Sequence, residues 1–543
     1  MELTQEQLLA ENEKLKADLK KLQARKSGLF IHEQPEEVEL DVYEKEKLPV
    51  LKRVSDKDVV CGGKDHLLIE GDNLHTLIAL QITHRNKIDV IYIDPPYNTG
   101  NKDFKYNDRF VDKEDNWRHN KWLSFMSRRL RLARELLNDS GVIFISIDDN
   151  EQAQLKLLCD DVFGEDNFVA NFIWESGDGG SNDTKRNLSI INEYVLCFCK
   201  KNFAFNLAPK DKSKFKNKLS FINLATDGIN IRSGEFQLVN INKQKDYLVS
   251  INLKDGSKIE NYPSMCPQST IDEWQKVGKI VVNENKVVYY KSFIEDEKAG
   301  INYKNLISNV GTAKGAGKAL NEILNVELKK MYPKPLGLIK HILKIASNKN
   351  AIILDFFAGS GTTGQAVLEL NKEDGGNRQF ILATNNENNI CEEITRERMK
   401  RVMEGYTNSK KESITGLGNN LIYFKTDFVQ KSNSDTQLRL NLVDGYGDII
   451  CVGENVFGLV KETACYKIFE NDKKTIAFVK SDKNLTGLVD HFKQAKGKKK
   501  VYKFELEDAK DPDFEELFDE VEGVKFFGIS SIIRSYIRLT GRK

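Results

Sequence analysis

The chain has 543 residues, 40% of them hydrophobic and 30% charged, a size and balance that suit a soluble protein of two to four domains. Lys and Arg number 82 against 81 Asp and Glu, which excludes a protein that coats nucleic acid over its whole surface; any such contact must be a local patch. No apolar run approaches the roughly 18 residues of a membrane span, and the charged, helical N-terminus is no signal peptide. The eight cysteines are scattered without a C-x-x-C pair and read as reduced thiols of a cytoplasmic protein, not as a metal site.

Residues 1–26 read as one helix. Leu8, Leu15 and Leu22 recur every seven residues, with Asn12 and Leu19 in the complementary register. A single Asn at such a position favours a parallel dimer, so a homodimer through this helix is expected; an amphipathic helix packed on its own domain is the alternative. Residues 27–60 read as an irregular, charged connector.

From residue 61 the pattern is α/β. A short strand at 66–70 precedes Gly71-Asp72-Asn73 and an apolar helix. Residues 88–93 form an apolar run without alternation, as a strand covered on both faces requires, and the run stops on Asp94-Pro95-Pro96-Tyr97. Residues 101–116 read as a mobile polar loop. A long helix at 117–138 carries Arg128, Arg129, Arg131 and Arg134, read as a surface face ahead of a DNA contact. A second buried strand, 141–147, ends on Asp148-Asp149. A helix at 151–163 and strands at 168–174 and 194–198 complete this half, 61–200. The alternation predicts a parallel, doubly wound sheet.

Residues 201–330 differ: Lys-rich segments alternate with short aromatic strands, which predicts an inserted α+β domain with a local basic surface. The glycine-rich 311–319 is no phosphate loop, because Thr312 and Ala319 stand where the pattern needs Gly and Ser or Thr. The α/β pattern resumes over 331–407. Tyr332-Pro333-Lys334-Pro335 leads into a helix. A strand at 351–355 ends on Asp355, and Phe357-Ala358-Gly359-Ser360-Gly361-Thr362 opens the next helix. A strand at 378–384 follows, with Glu387 just beyond it. Residues 408–420 read as a linker and 421–543 as a small C-terminal α/β domain.

A strand, a glycine turn and a helix form a nucleoside-binding layout, and an acidic residue after the following strand suits ribose hydroxyls. The tetrapeptide at 94–97 suits a planar amine. The lone pair of such an amine is delocalised into its ring. Asp94 and the Pro95 carbonyl can accept its two N–H groups and push the nitrogen towards sp³, two prolines stiffen the backbone, and Tyr97 can stack on the ring.

Together, Asp94-Pro95-Pro96-Tyr97-Asn98-Thr99-Gly100 and the Asp355–Val367 segment resemble the S-adenosylmethionine-dependent amino-methyltransferases of DNA. The catalytic motif precedes the cofactor motif, with an insertion between them, as in the β group of these enzymes. The overall layout is similar to the modification (Mod) subunits of type III restriction–modification systems. The resemblance implies a permuted Rossmann-like methyltransferase sheet and an inserted target-recognition domain. It implies catalytic residues Asp94, Pro95, Pro96 and Tyr97, and a cofactor site of Asp72, Lys334, Pro335, Asp355, Phe357, Gly359, Gly361, Thr362 and Glu387. It implies methyl transfer to N6 of an adenine flipped from duplex DNA; N4 of cytosine is the rival product, since the pocket logic is the same. A separate helicase–nuclease restriction subunit is the implied partner, a solitary methyltransferase the alternative, and the bacterial nucleoid the implied location. One departure stands out: Asn192-Glu193-Tyr194 occupies the place where relatives often show His-Glu-Tyr.

Overall fold

The computed structural model describes residues 47–528 apart from 101–102, 107–108, 178–181, 184–187, 208–235, 244–245, 254–255, 283–284, 294–301, 329–330, 431–446 and 504–511. The helix expected at 1–26, with its dimer contact, lies outside the described residues. The chain divides into two compact units, one of residues 1–204 and 305–543, the other Phe205–Lys304.

The larger unit is built on one mixed sheet. Its main strands are β1 (Lys47–Arg53), β2 (Asp65–Glu70), β3 (Ile88–Ile93), β4 (Leu137–Ile147), β5 (Phe168–Glu175), β6 (Asn192–Cys199), β7 (Leu306–Ile307), β8 (Ile352–Asp355), β9 (Gln379–Thr384) and β10 (Asn420–Gln430), and the two-residue strand Val59–Val60 pairs with the start of β10. Their order across the sheet is β1-β10-β2-β9-β8-β3-β4-β6-β5-β7. The six from β10 to β4 are parallel. The centre is apolar on both faces: Val90, Ile91, Ile93 and Ile143, Phe144, Ile145 are fully buried, as a sheet with helices on each side requires.

Three expectations are corrected. The sheet is not wholly parallel, because β6 runs antiparallel to both β4 and β5; among the described residues no helix lies between β5 and β6 to carry the chain back across the sheet. The connector 27–60 is not wholly irregular, since β1 pairs antiparallel with β10 along its whole length. Strand β10 in turn belongs to this sheet and does not begin a separate domain.

Helices α1 (Asn73–His84), α2 (Arg118–Leu136), α3 (Gln152–Phe163), α4 (Ala313–Leu324), α5 (Leu336–Ala346), α6 (Thr362–Asp374) and α7 (Glu397–Glu404) flank the sheet. Helix α1 starts where Asp72 caps it, Oδ1 accepting the Leu74 N–H at 2.7 Å. The C-terminal strands β11 (Gly458–Glu462), β12 (Tyr466–Asn471), β13 (Lys474–Val479), β14 (Lys498–Lys503) and β15 (Val524–Gly528) form a second sheet in that order. One of its faces has a core of its own around Ile468, Leu488 and Phe492. Phe469, Phe478 and Tyr502 join the main core instead.

The smaller unit holds an antiparallel sheet of strands Phe236–Asn240, Val288–Phe293 and Ile280–Val282, a hairpin of Tyr247–Asn252 with Lys258–Ser264, and the helix Gln268–Lys276. Ile251, Ile271, Ile280 and Val288 form its core, with Trp274 stacked on Tyr290. Residues 305–330, including α4, belong to the larger unit, so the insertion is shorter than 201–330.

Candidate active site

The chain leaves the centre of the sheet in opposite directions on either side of one line. From β3 it passes outward to β4; from β8 it passes the other way, to β9. At such a switch point the loops after the two strands part and leave a crevice beyond their carboxyl ends, where open α/β sheets bind ligands. Asp94-Pro95-Pro96-Tyr97 follows β3 and the glycine turn follows β8, so two segments more than 250 residues apart in sequence meet at adjacent strand ends.

The glycine turn is fixed by its own aspartate. Asp355 is buried, with Oδ1 accepting the Phe357 N–H at 3.0 Å and Oδ2 accepting the Thr363 hydroxyl at 2.6 Å. Burial pushes its carboxyl up to about 7, with Asp94 adding to the rise and the two hydrogen bonds opposing it. Asp355 therefore braces the turn from beneath. Gly361 has φ +79°, and a Cβ there would stand 3.1 Å from the Thr395 methyl, so only glycine fits without strain. Gly359 has φ +49°, and a Cβ there would meet nothing nearer than 3.8 Å, which leaves its outer side open. The Thr362 hydroxyl accepts from Arg398 at 2.9 Å. Phe357 is half-buried against Phe125, ring centroids 5.9 Å apart. Glu387, beyond β9, is half exposed and pairs with Lys105 at 3.0 Å.

The other motif is a charged cluster. Lys334 Nζ lies 2.8 Å from Glu193 Oε2 and 3.3 Å from Asp94 Oδ1. The Tyr97 hydroxyl donates to the same Glu193 oxygen at 3.0 Å. Nζ also stands 4.7 Å from the centre of the Tyr97 ring and 5.5 Å from that of the buried Trp174. Burial raises the Asp94 carboxyl, Lys334 opposes the rise, and Glu193 adds to it. Burial alone would lower Lys334, yet Asp94 and Glu193 together hold it above its ordinary range. The antiparallel course of β6 brings Glu193 here: Tyr194 pairs with Ile147, so the start of β6 lies at the carboxyl end of β4.

The backbone of the motif is held from two sides. Trp122 Nε1 donates to the Pro96 carbonyl at 2.7 Å, which fixes the backbone just after Pro95. Asn98, at φ +57°, donates to Glu151 Oε1 at 2.6 Å and to the Arg118 carbonyl at 3.2 Å. Glu151 is fully buried, and burial raises its carboxyl to about 8.

Residues 88–404 match the family model of the DNA methylases, well over half of the chain. The chain belongs to the DNA methylase family. Among curated proteins it is similar to the type III restriction-modification enzyme StyLTI Mod subunit of Salmonella typhimurium, 36% identical and covering 62% of this chain and 57% of that one. It is 35% identical to the type II methyltransferase M.KpnI of Klebsiella pneumoniae, over 58% of this chain and 79% of that one. It is 30% identical to the type III restriction-modification enzyme EcoPI Mod subunit of Escherichia phage P1, over 79% and 74%. The chain thus spans little more than half the length of the first of these relatives. S-adenosylmethionine is the methyl donor that the sequence resemblance implies. The crevice suits it: an open glycine turn, the half-buried Phe357 ring and the half-exposed Glu387 lie at neighbouring strand ends.

Sequence reasoning grouped Lys334 with the cofactor residues, but the structure seats its ammonium between Asp94 and Glu193. Pro335 caps α5, and Asp72 caps α1 while standing 3.6 Å from Arg129. Two residues of the methylase went unassigned. Trp122 holds Pro96. Arg129, expected on a surface face, is 1% exposed, donates to Asn73 at 2.6 Å and to the Phe125 carbonyl at 2.9 Å, and lies over the Phe125 ring. Asn73 passes the link on to the Phe356 carbonyl at 3.1 Å, so Arg129 ties α1 and α2 to the glycine turn. A signal existed: Trp122, Met126, Arg129, Leu130 and Ala133 fall on one helical stripe, and an arginine within an apolar stripe is a buried arginine. The loop after the motif is more regular than expected. Lys105–Tyr106 pairs with Arg109–Phe110, and Phe104 is buried against Phe125.

Proposed function

We propose that this DNA methylase transfers a methyl group to N6 of an adenine flipped out of duplex DNA, and that it serves as the modification subunit of a type III restriction–modification system. The observation that carries this reading is the meeting of Asp94–Tyr97 with the Phe357–Gly361 turn at the β3–β8 switch point. Bound S-adenosylmethionine supplies an electrophilic methyl group. Glu387 would hold the ribose hydroxyls, and the backbone at Gly359 and Gly361 would lie against the nucleoside, with Phe357 beside it.

The chain's own residues activate the amine. The Asp94 carboxylate and the Pro95 carbonyl accept its two N–H groups, drawing the nitrogen lone pair out of conjugation. The Pro96 carbonyl takes no part, being committed to Trp122. The Tyr97 ring, held by its hydroxyl on Glu193, offers a flat face for the base. Once the nitrogen carries the methyl group it is cationic, and Asp94 holds the proton that it sheds. Flipping costs a few kcal/mol, which stacking and these hydrogen bonds offset. The smaller unit, inserted between the two motifs, would read the target through Lys, Arg, Asn and Gln side chains in the major groove.

The test is to incubate the protein with unmethylated genomic DNA and tritiated S-adenosylmethionine and to identify the product nucleoside by mass spectrometry. N6-methyladenine is expected; N4-methylcytosine would overturn the base assignment, and no DNA product would overturn the reading. We also infer a homodimer joined through residues 1–26 and a separate helicase–nuclease partner, in the cytoplasm at the nucleoid. Among the described residues no helix is long and apolar enough to cross a membrane. Deleting 1–26 should halve the mass measured by analytical ultracentrifugation, and an unchanged mass would remove the helix from the interface.

A further inference from the structure

The Lys334 ammonium lies between two carboxylates and over two aromatic rings, and it does not treat the carboxylates alike. Glu193 is the nearer, 2.8 Å against 3.3 Å for Asp94. We propose that Glu193 and Lys334 are paired positioning residues, Glu193 drawing the ammonium off Asp94 so that the Asp94 carboxylate stays ionised yet free to accept the amino group of the target base. The inference rests on Asp94 being the group that grips that amine.

Each partner answers a different difficulty. Without Lys334, Asp94 would face Glu193 and Asp355 with no counter-charge among the described residues, and carboxylates crowded together and partly withdrawn from water ionise less readily. A protonated Asp94 would offer a donor where the amine needs an acceptor. Without Glu193, Lys334 would turn its N–H groups on Asp94 alone and fill the lone pairs that the amine must use. With both present the ammonium has a second seat, and an arriving amine can displace it from Asp94 while the charges stay balanced. Among the described residues, the other titratable groups that act on the cluster include Tyr92, Tyr97, Asp148 and Asp355. None of these supplies positive charge. Asp148 is occupied by Asn150, and Asp355 by its own turn.

The two roles predict a rescue that simple loss of structure does not. Rates of methyl transfer are measured against pH for Lys334→Met, Glu193→Gln, the double variant, Lys334→Arg and Asp94→Asn. Melting temperature and S-adenosylmethionine binding identify the folded proteins. Lys334→Met should slow transfer at pH 7 by about tenfold or more and move the acidic limb of the profile to higher pH, because the carboxylate has lost the cation that favours its ionised form. Adding Glu193→Gln should restore much of the rate and return the limb towards wild type, since the competing carboxylate is gone. Lys334→Arg should leave the limb near its wild-type position. A double variant as slow as Lys334→Met, with the limb unmoved, would overturn the inference while leaving Asp94 in place. Normal turnover by Asp94→Asn would overturn the reading of Asp94 itself, and the inference with it.

Discussion

Two aspartates close neighbouring strands at the centre of the sheet, Asp94 after β3 and Asp355 at the end of β8, and they are treated in opposite ways. Asp355 is satisfied within eight residues of itself, by Phe357 and Thr363. Asp94 has Tyr97 beside it, but its counter-charge comes from afar, from Lys334 of the returning chain, which Glu193 of β6 also holds. A carboxylate closed on its own turn is a brace. One that shares an ammonium with a second carboxylate keeps capacity for a visitor. Burial raises both carboxyls, but Asp355 is enclosed while the Asp94 side chain is 29% exposed, so partners and exposure together separate the structural aspartate from the reactive one.

The sharpest way to break this contrast is to remove each carboxylate's charge in turn. Asp94→Ala should lower methyl transfer by about a thousandfold or more, within the upper range for a positioned proton acceptor, while S-adenosylmethionine binding by calorimetry stays near wild type. Retained transfer would make Asp94 a second brace. Asp355→Asn should show its effect in stability. Its carboxyl is raised from 3.8 to about 7 in the folded chain. The folded state therefore holds the proton more tightly than the unfolded one. That contribution to stability is complete below about pH 4 and is lost as pH rises through about 7. Wild type should thus lose stability relative to Asp355→Asn between those limits, by an amount on the order of a few kcal/mol. Parallel denaturant-unfolding curves at pH 5 and pH 7.5 would show that the carboxyl is not strained in this way.

The same contrast governs what the sequence discloses. The Asp355 turn is a local device, a strand, a tight glycine pair and a helix, and its residues are contiguous, so its pattern is legible as written. The identity of the Asp94 motif is equally legible. Its partners are not, because Lys334 and Glu193 are joined to it only when the sheet closes, and the antiparallel course of β6 decides that Glu193 arrives at the carboxyl edge. Strand β10 escaped notice for a related reason: a strand that returns from far down the chain looks locally like the start of something new. Arg129 is an intermediate case. Its place on the apolar stripe of α2 was on view, but three neighbouring arginines obscured it.

The cofactor side offers the smaller effects, and they differ in sign. Glu387→Ala should weaken S-adenosylmethionine binding by about ten- to a hundredfold, as expected for losing hydrogen bonds to a charged acceptor. Lys105→Met should do the reverse. The ammonium occupies the carboxylate that the ribose hydroxyls need, and Lys105 and Glu387 side chains are 35% and 51% exposed. A pair so exposed is worth no more than about 1 kcal/mol, because solvent screens it, so freeing Glu387 should tighten binding by about fivefold at most. The two changes are separable by salt. In the wild type, added salt weakens the Lys105–Glu387 pair and should narrow its difference from Lys105→Met. If Lys105→Met instead weakens binding at every ionic strength, the hairpin at 105–110 helps to build the cofactor site and does not compete for it. Lys105 would then stand to Glu387 as Thr363 stands to Asp355, a partner that fixes a carboxylate in place.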